Sequence, residues 1–146
     1  MKSEFATFFK SFPNGTVWSN DIKGRGYDTV LIGWNGPAGM DLDAWSERLG
    51  RRNYQLVMNS LHEVGFTSVL SLLSTFAGRA TELTSWLEDA QINTDRDLRL
   101  QYLAGFSMNS DIPDEIYQEF LQYRTFPEEL FTGSANLRDS LREKIR

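Results

Sequence analysis

The sequence predicts an α/β fold that is mostly helical, and three observations indicate this class. Two short segments of strand composition, at about 16–20 and 27–33, are joined by a polar turn that contains glycine. Apolar residues recur at helical spacing before these segments and through most of residues 40–146. Glycine and proline divide this later part into short elements. We therefore expect two antiparallel strands near the N-terminus, followed by a helical part.

Length and composition predict a folded domain with a hydrophobic core. The chain has 146 residues, of which 40% are hydrophobic and 13% aromatic, and this composition is too apolar for a disordered segment. We expect a single domain over residues 1–146. Residues 1–39 would supply the strands of this domain, and residues 40–146 would supply its helical part.

Charge and residue usage argue against several functions. A net charge of −5 argues against general nucleic-acid binding, which needs a basic face. The absence of cysteine excludes disulfides and thiolate nucleophiles. The sequence has neither an apolar run long enough to span a membrane nor the pattern of a secretory signal. We expect a cytoplasmic protein in which this segment contacts neither nucleic acid nor a membrane.

The first helix is predicted over residues 2–11, and Pro13 follows its end. Four phenylalanines fall on one face of this helix: Phe5, Phe8, Phe9 and Phe12. Such a stripe is typical of core packing, and we interpret it as the last helix of a larger layer. A remnant of a larger protein would leave the stripe exposed or pair it in an oligomer, whereas a self-sufficient module would bury it.

The two predicted strands pose a problem of stability. Val30, Leu31 and Ile32 follow one another in the second strand, and a continuous aliphatic run is typical of a strand buried on both faces. Two strands alone do not form a stable sheet in water. Either the helices supply the whole core, or these are the last strands of a sheet whose other members are missing. We favour the second interpretation.

The remaining helices are predicted from apolar spacing and from the residues at their ends. The predicted segments are Leu42–Leu49, Asn53–Val64, Val69–Ala77, Thr81–Asp89, Leu98–Met108, Asp114–Arg124, a short turn of helix at Glu128–Phe131, and a last helix that ends at Ile145. The predicted N-caps are Asp41, Asn53, Thr67 or Ser68, and Ser134 or Asn136; the helix-ending glycines are Gly50, Gly65 and Gly78.

Candidate catalytic and metal-binding residues are few. His62 is the only histidine, so neither a Ser-His-Asp triad nor a histidine-based metal cluster can be assembled, and we expect a solvated side chain. Asp89, Asp95 and Asp97 lie around a break between helices, where carboxylate oxygens could bind Mg²⁺. Their spacing does not match an EF-hand, and arginines lie beside them. We therefore favour helix capping and ion pairing, and we predict no metal site.

Two carboxylates and three tryptophans lie near the predicted strands and loops. Asp21 and Asp28 flank the strand turn, and Asp21 would approach a ligand crevice if the strands belong to a nucleotide-binding sheet. Trp18, Trp34 and Trp45 could line a pocket, but tryptophans near strand ends more often close a core. These patterns assign no catalytic or cofactor-binding residue.

Five segments carry a family resemblance. They are Phe-Phe-Lys-Ser-Phe-Pro-Asn-Gly-Thr-Val-Trp-Ser-Asn-Asp at 8–21, Gly-Tyr-Asp-Thr-Val-Leu-Ile-Gly at 26–33, Ser-Leu-His-Glu-Val-Gly-Phe at 60–66, Ala-Gln-Ile-Asn-Thr-Asp-Arg-Asp-Leu-Arg-Leu-Gln-Tyr-Leu-Ala-Gly at 90–105, and Tyr-Arg-Thr-Phe-Pro-Glu-Glu-Leu-Phe-Thr-Gly at 123–133. Together they resemble the late part of spermidine synthase-like proteins, including the fused transporter/spermidine synthase forms. The resemblance spans most of the chain.

The resemblance implies that the two strands are the end of a methyltransferase-type Rossmann sheet and that a helical cap follows. In this family a Gly-Gly-Gly-Asp-Gly loop holds the nucleosyl cofactor, and an aspartate deprotonates the amine substrate. Neither segment occurs in residues 1–146, and the glycine-rich stretches 24–26 and 33–39 lack the spacing of a phosphate loop. Decarboxylated S-adenosylmethionine, aminopropyl transfer and polyamine biosynthesis are therefore implied for a complete family member. For this chain we expect no cofactor, and the catalytic residues are unknown.

Two functions stay open at this point. The chain is either the C-terminal part of a spermidine synthase-like protein, without catalytic activity by itself, or an independent α-rich interaction or binding module. An exposed sheet edge and an uncovered aromatic face favour association. We therefore expect a homodimer, or a complex with the upstream half of the same protein.

Overall fold

The computed structural model describes residues 1–22, 25–98, 100–102 and 112–145. In chain order the elements are α1 (Lys2–Ser11), β1 (Thr16–Ile22), β2 (Arg25–Ile32), β3 (Met40–Asp41), α2 (Leu42–Gly50), a short 3₁₀ turn (Arg52–Tyr54), α3 (Gln55–Glu63), α4 (Val69–Leu73), β4 (Phe76–Arg79), α5 (Ile112–Leu121), β5 (Phe131–Thr132) and α6 (Ala135–Ile145). This mixture of helices and strands confirms the predicted α/β class.

The chain divides into two compact units, each built from two separate stretches of sequence. Unit 1 comprises Met1–Pro37 and Ala77–Thr125, and unit 2 comprises Ala38–Phe76 and Phe126–Arg146. The expectation of one domain over residues 1–146 stays a prediction.

The predicted strand pair is confirmed, and it belongs to a larger sheet. β1 and β2 are antiparallel, with Thr16 opposite Ile32 and Asn20 opposite Asp28. β1 lies between β2 and β4, so the sheet has three strands in the order β2-β1-β4. The sequence does not predict β4. Its pairing with β1 gives the sheet the third strand that stability in water requires.

The core of unit 1 is aromatic and is organised by α1. Phe5 is 1% exposed and Phe9 is also buried, whereas Phe12 is 37% exposed. The ring of Phe5 meets Trp86 and Phe120 edge-on, with centroid separations of 5.8 and 5.5 Å. These edge-to-face contacts add to the hydrophobic burial of the rings. Most of the predicted phenylalanine stripe is therefore buried within unit 1.

The second strand is not buried on both faces, and this part of the prediction is wrong. Successive side chains of a strand point to opposite faces. Leu31 packs against the core of unit 1, whereas Val30 is 51% and Ile32 is 38% exposed. The aliphatic run therefore has only one of its two faces covered by the described chain.

The predicted helix over 69–77 is too long. α4 ends at Leu73, and the hydroxyls of Ser74 and Thr75 donate to the backbone oxygens of residues three positions earlier. Such local side-chain bonds compete with continuation of a helix. Gly78 consequently lies within β4 and does not end a helix. The strand state of this segment comes from its pairing in the sheet.

Other helix predictions are corrected in similar ways. Residues 81–89 form successive hydrogen-bonded turns, although Leu83 and Trp86 are buried as a packed helix face would be. The helix predicted from Asn53 begins with the 3₁₀ turn before α3. The turn after Pro127 leads into β5. The predicted helix Leu98–Met108 lies largely outside the described residues.

Unit 2 is held together by helix caps and by a short parallel strand pair. The Asp41 carboxylate accepts from the backbone N–H groups of Asp43 and Ala44, both at 3.0 Å, and so confirms the predicted N-cap of α2. Ser68 and Ser71 form a reciprocal capping box at α4. β3 pairs with β5, and α2 packs against α3, α4 and α6. These local signals fix the helix starts.

Asp43 also joins the two stretches of sequence in unit 2. Its carboxylate accepts from the backbone N–H of Ser134 at 2.6 Å and from the Ser134 hydroxyl at 3.0 Å. Gly133 has φ +117°, and a Cβ built there would lie 2.7 Å from the carboxylate. Only glycine fits this approach without strain.

We expect Phe5→Ala to lower the free energy of unfolding by about 3–5 kcal/mol, because it leaves a cavity between two aromatic rings. Urea denaturation measures this loss. Phe12→Ala is the matched control on the same helix, and its partly exposed ring predicts a much smaller loss. Equal losses for the two variants would show that α1 does not organise the core.

Candidate functional site

The predicted candidates for metal binding do not form a group. Asp89 pairs with Lys2, whereas Asp95 and Asp97 are exposed. Asp97 and Thr94 exchange backbone hydrogen bonds of 3.0 and 3.2 Å in a small loop. Among the described residues, no group of three His, Asp or Glu side chains is arranged to hold a metal ion. His62 is exposed on α3, as predicted.

The tryptophans near the strands close a core, as predicted. Trp18 is 8% exposed, and its Nε1–H donates to the Thr16 hydroxyl at 2.8 Å. Trp34 Nε1–H donates to the same hydroxyl at 3.3 Å. Trp45 is half-buried on α2. Asp28 accepts from the backbone N–H of the next residue and has a local role. The side chain of Asp21 lies outside the described residues.

Unit 1 has an open cleft that none of these predictions identified. Its cavity volume is about 320 Å³, and we call it the Trp86 cleft. The residues that define it are Lys2, Trp86, Glu88, Asp89, Glu119 and Tyr123. Trp86 is 1% exposed and belongs equally to the core, so one side of the cleft is the hydrophobic core itself.

Three elements build the Trp86 cleft. The first turn of α1 supplies Lys2, and the turns after β4 supply Trp86, with Glu88 and Asp89 pointing to solvent. α5 buries Phe120 and exposes the neighbouring Glu119. The acidic side chains are therefore the solvent-facing neighbours of core aromatics.

A cation already occupies part of the Trp86 cleft. The Lys2 ammonium lies 3.0 Å from Asp89 Oδ1 and 5.4 Å from the centroid of the Trp86 ring. The hydrogen bond from Lys2, followed by its charge, holds the pKa of Asp89 below its usual value. A cation over an indole face is a favourable arrangement. The cleft therefore has the chemistry of a cation site.

Further hydrogen bonds hold the start of α1 beside the cleft. The Ser3 hydroxyl donates to the backbone oxygen of Gln91. The Thr7 hydroxyl accepts from the backbone N–H of Asn93 at 2.8 Å. Because these bonds lie on successive turns of α1, they fix the position of the Lys2 stem relative to Trp86.

A second ion pair in unit 1 has a structural role. Arg79 and Glu82 approach to 2.6 Å, and their side chains are 21% and 10% exposed. Glu82 also accepts from the backbone N–H of Arg79 at 2.9 Å. Burial alone would raise the pKa of Glu82, but the hydrogen bonds and the charge of Arg79 lower it below the usual value. The pair closes the turn that follows β4.

Comparison with protein-family models, with curated proteins and with solved structures finds no match to this chain. No helix among the described residues has both the length and the apolar character needed to cross a membrane. The Trp86 cleft and the uncovered face of β2 are therefore the features from which a function can be argued.

We expect Glu82→Gln to destabilise unit 1 at neutral pH by about 1–3 kcal/mol, because the Arg79 guanidinium loses a buried charged partner. The lowered pKa means that this stabilisation is complete above the unfolded-state pKa of about 4.3 and is lost as the pH falls through the folded-state value. The difference from wild type should therefore shrink towards about pH 3.

Urea denaturation at several pH values measures this difference. Glu115→Gln, at an exposed position of α5, is the matched control and should change stability little at any pH. A difference between Glu82→Gln and wild type that is constant with pH would show that the ionised pair does not stabilise the fold.

Proposed function

We propose that this chain is the C-terminal part of a spermidine synthase-like protein and that it acts with an upstream half, without catalysing a reaction by itself. The observation that carries the proposal is the open outer face of β2. Val30 and Ile32 are 51% and 38% exposed there, although they belong to a run that is typical of a strand buried on both faces.

The neighbouring strand shows how unusual this exposure is. Val30 lies opposite Trp18 in the register, and Trp18 is 8% exposed. β2 is also the terminal strand of the sheet that the described residues form. An edge strand with exposed aliphatic side chains is normally paired or covered in a stable protein. A further strand and helix of a larger α/β sheet would cover both.

The proposed role is to complete a sheet and to contribute the region that follows it. A complete protein of this kind would transfer an aminopropyl group from decarboxylated S-adenosylmethionine to an amine, in the cytoplasm. The nucleotide loop and the catalytic aspartate would come from the upstream half. The proposal therefore assigns no catalytic residue to this chain.

The second candidate is an independent interaction module, and a different observation favours it. Phe5 and Phe9 are buried by residues of the same unit. A module that covers its own aromatic stripe has a core that does not depend on an upstream half. In this case the open face of β2 would bind a separate partner or a second copy.

We expect the isolated chain to self-associate through the open face of β2. The double variant Val30→Lys and Ile32→Lys should shift the chain towards monomer at about 100 µM, because charged side chains on an edge strand oppose pairing. Sedimentation equilibrium measures this shift. Leu56→Lys, at a position 80% exposed on α3, is the matched control and should behave as wild type. A monomeric wild type would contradict the expectation.

The family assignment is tested by ligand binding and by the native gene product. Calorimetry on the isolated chain should give no saturable binding of decarboxylated S-adenosylmethionine, S-adenosylmethionine or putrescine. The native polypeptide should be longer than 146 residues and should bind the decarboxylated cofactor. Saturable cofactor binding by the isolated chain would refute the division of labour. A native polypeptide of only 146 residues would favour the interaction module.

A further inference from the structure

We propose that the Trp86 cleft is a docking site for an arginine side chain of a partner protein. This role is separate from the proposed function and concerns another surface of unit 1. The cleft combines an indole face, the phenol ring of Tyr123 and three carboxylates within a cavity of about 320 Å³. Aromatic faces and carboxylates both attract cations.

The charge of the cleft is only partly balanced. Lys2 pairs with Asp89, but Glu88 and Glu119 have no ion pair or side-chain hydrogen bond within the described part of the chain. Both are exposed and ionised at neutral pH. One ammonium therefore faces three carboxylates, and the cleft has room for a second cation beside Lys2.

Lys2 shows how such a cation would be held. Its ammonium contacts a carboxylate and the indole ring together, at 3.0 and 5.4 Å. A guanidinium suits the same two contacts better than an ammonium does. It is planar, it stacks on aromatic rings, and it can donate to a carboxylate through two N–H groups.

The openness of the cleft favours a side chain over a free small molecule. Small-molecule sites usually enclose most of the ligand surface. Here the acidic residues are exposed, and Asp89 retains 76% of its side-chain accessibility even when it is paired. An arginine anchored on a docked protein needs no such enclosure. The acidic rim also repels nucleic acid and anionic lipid.

The test uses an acetylated and amidated tripeptide, Gly-Arg-Gly, and the same peptide with citrulline, which keeps the shape but lacks the charge. Two-dimensional NMR of the ¹⁵N-labelled chain follows the indole signal of Trp86. We expect the arginine peptide to shift this signal with a dissociation constant in the range of about 1–10 mM, typical of one solvent-exposed contact. The citrulline peptide should leave it unchanged, and added salt should weaken the binding.

Variants separate a docking site from a merely structural pair. Glu119→Gln should weaken binding of the arginine peptide about threefold, since it removes an exposed charge. Glu63→Gln, at an exposed position on α3, is the matched control and should leave binding unchanged. Lys2→Met should strengthen binding, because it frees Asp89 and the indole face. A purely structural Lys2 predicts only a loss of stability in this variant.

Three outcomes would overturn the proposal. Equal shifts with the arginine and citrulline peptides would show that charge is not recognised. Tighter binding of putrescine than of the arginine peptide would assign the cleft to free amines. The absence of any shift, in both wild type and Lys2→Met, would show that the cleft holds no external cation.

Discussion

The edge-to-face packing of Phe5 against Trp86 and Phe120 is the interaction on which unit 1 depends. These rings come from α1, from the turns after β4 and from α5, and they meet at centroid distances of 5.8 and 5.5 Å. The contact brings together parts of the chain that have no local reason to meet. Because Trp86 also lines the cleft, the same ring contributes to stability and forms the surface that a cation would contact.

The features that could be predicted are those with local causes. The Asp41 cap of α2, the Ser68 cap of α4 and the strand pair around the glycine turn each follow from a few neighbouring residues. β4 could not be predicted, because strand propensity is expressed mainly through pairing and packing with other strands. In the same way, the aliphatic run of β2 indicates a preference for burial and does not say which faces this chain covers.

The Trp86 cleft was not predictable for a related reason. Lys2 and Asp89 are 87 positions apart, and neither residue is unusual in its local sequence. Proximity in sequence suggested that Asp89 belongs with Asp95 and Asp97. In the structure it instead faces the first turn of α1. Only the tertiary arrangement of the aromatic core brings the carboxylates and the ammonium to one place.

The ties between α1 and residues 89–93 have a consequence for the order of events during synthesis. At about 5–20 residues per second, roughly 4–16 s separate the translation of Phe5 from that of Trp86. The strand pair β1–β2 needs only local contacts and can form within microseconds of emerging. The apolar face of α1 must wait for its partners. The nascent chain therefore passes through a period in which its first helix is a natural binding site for chaperones.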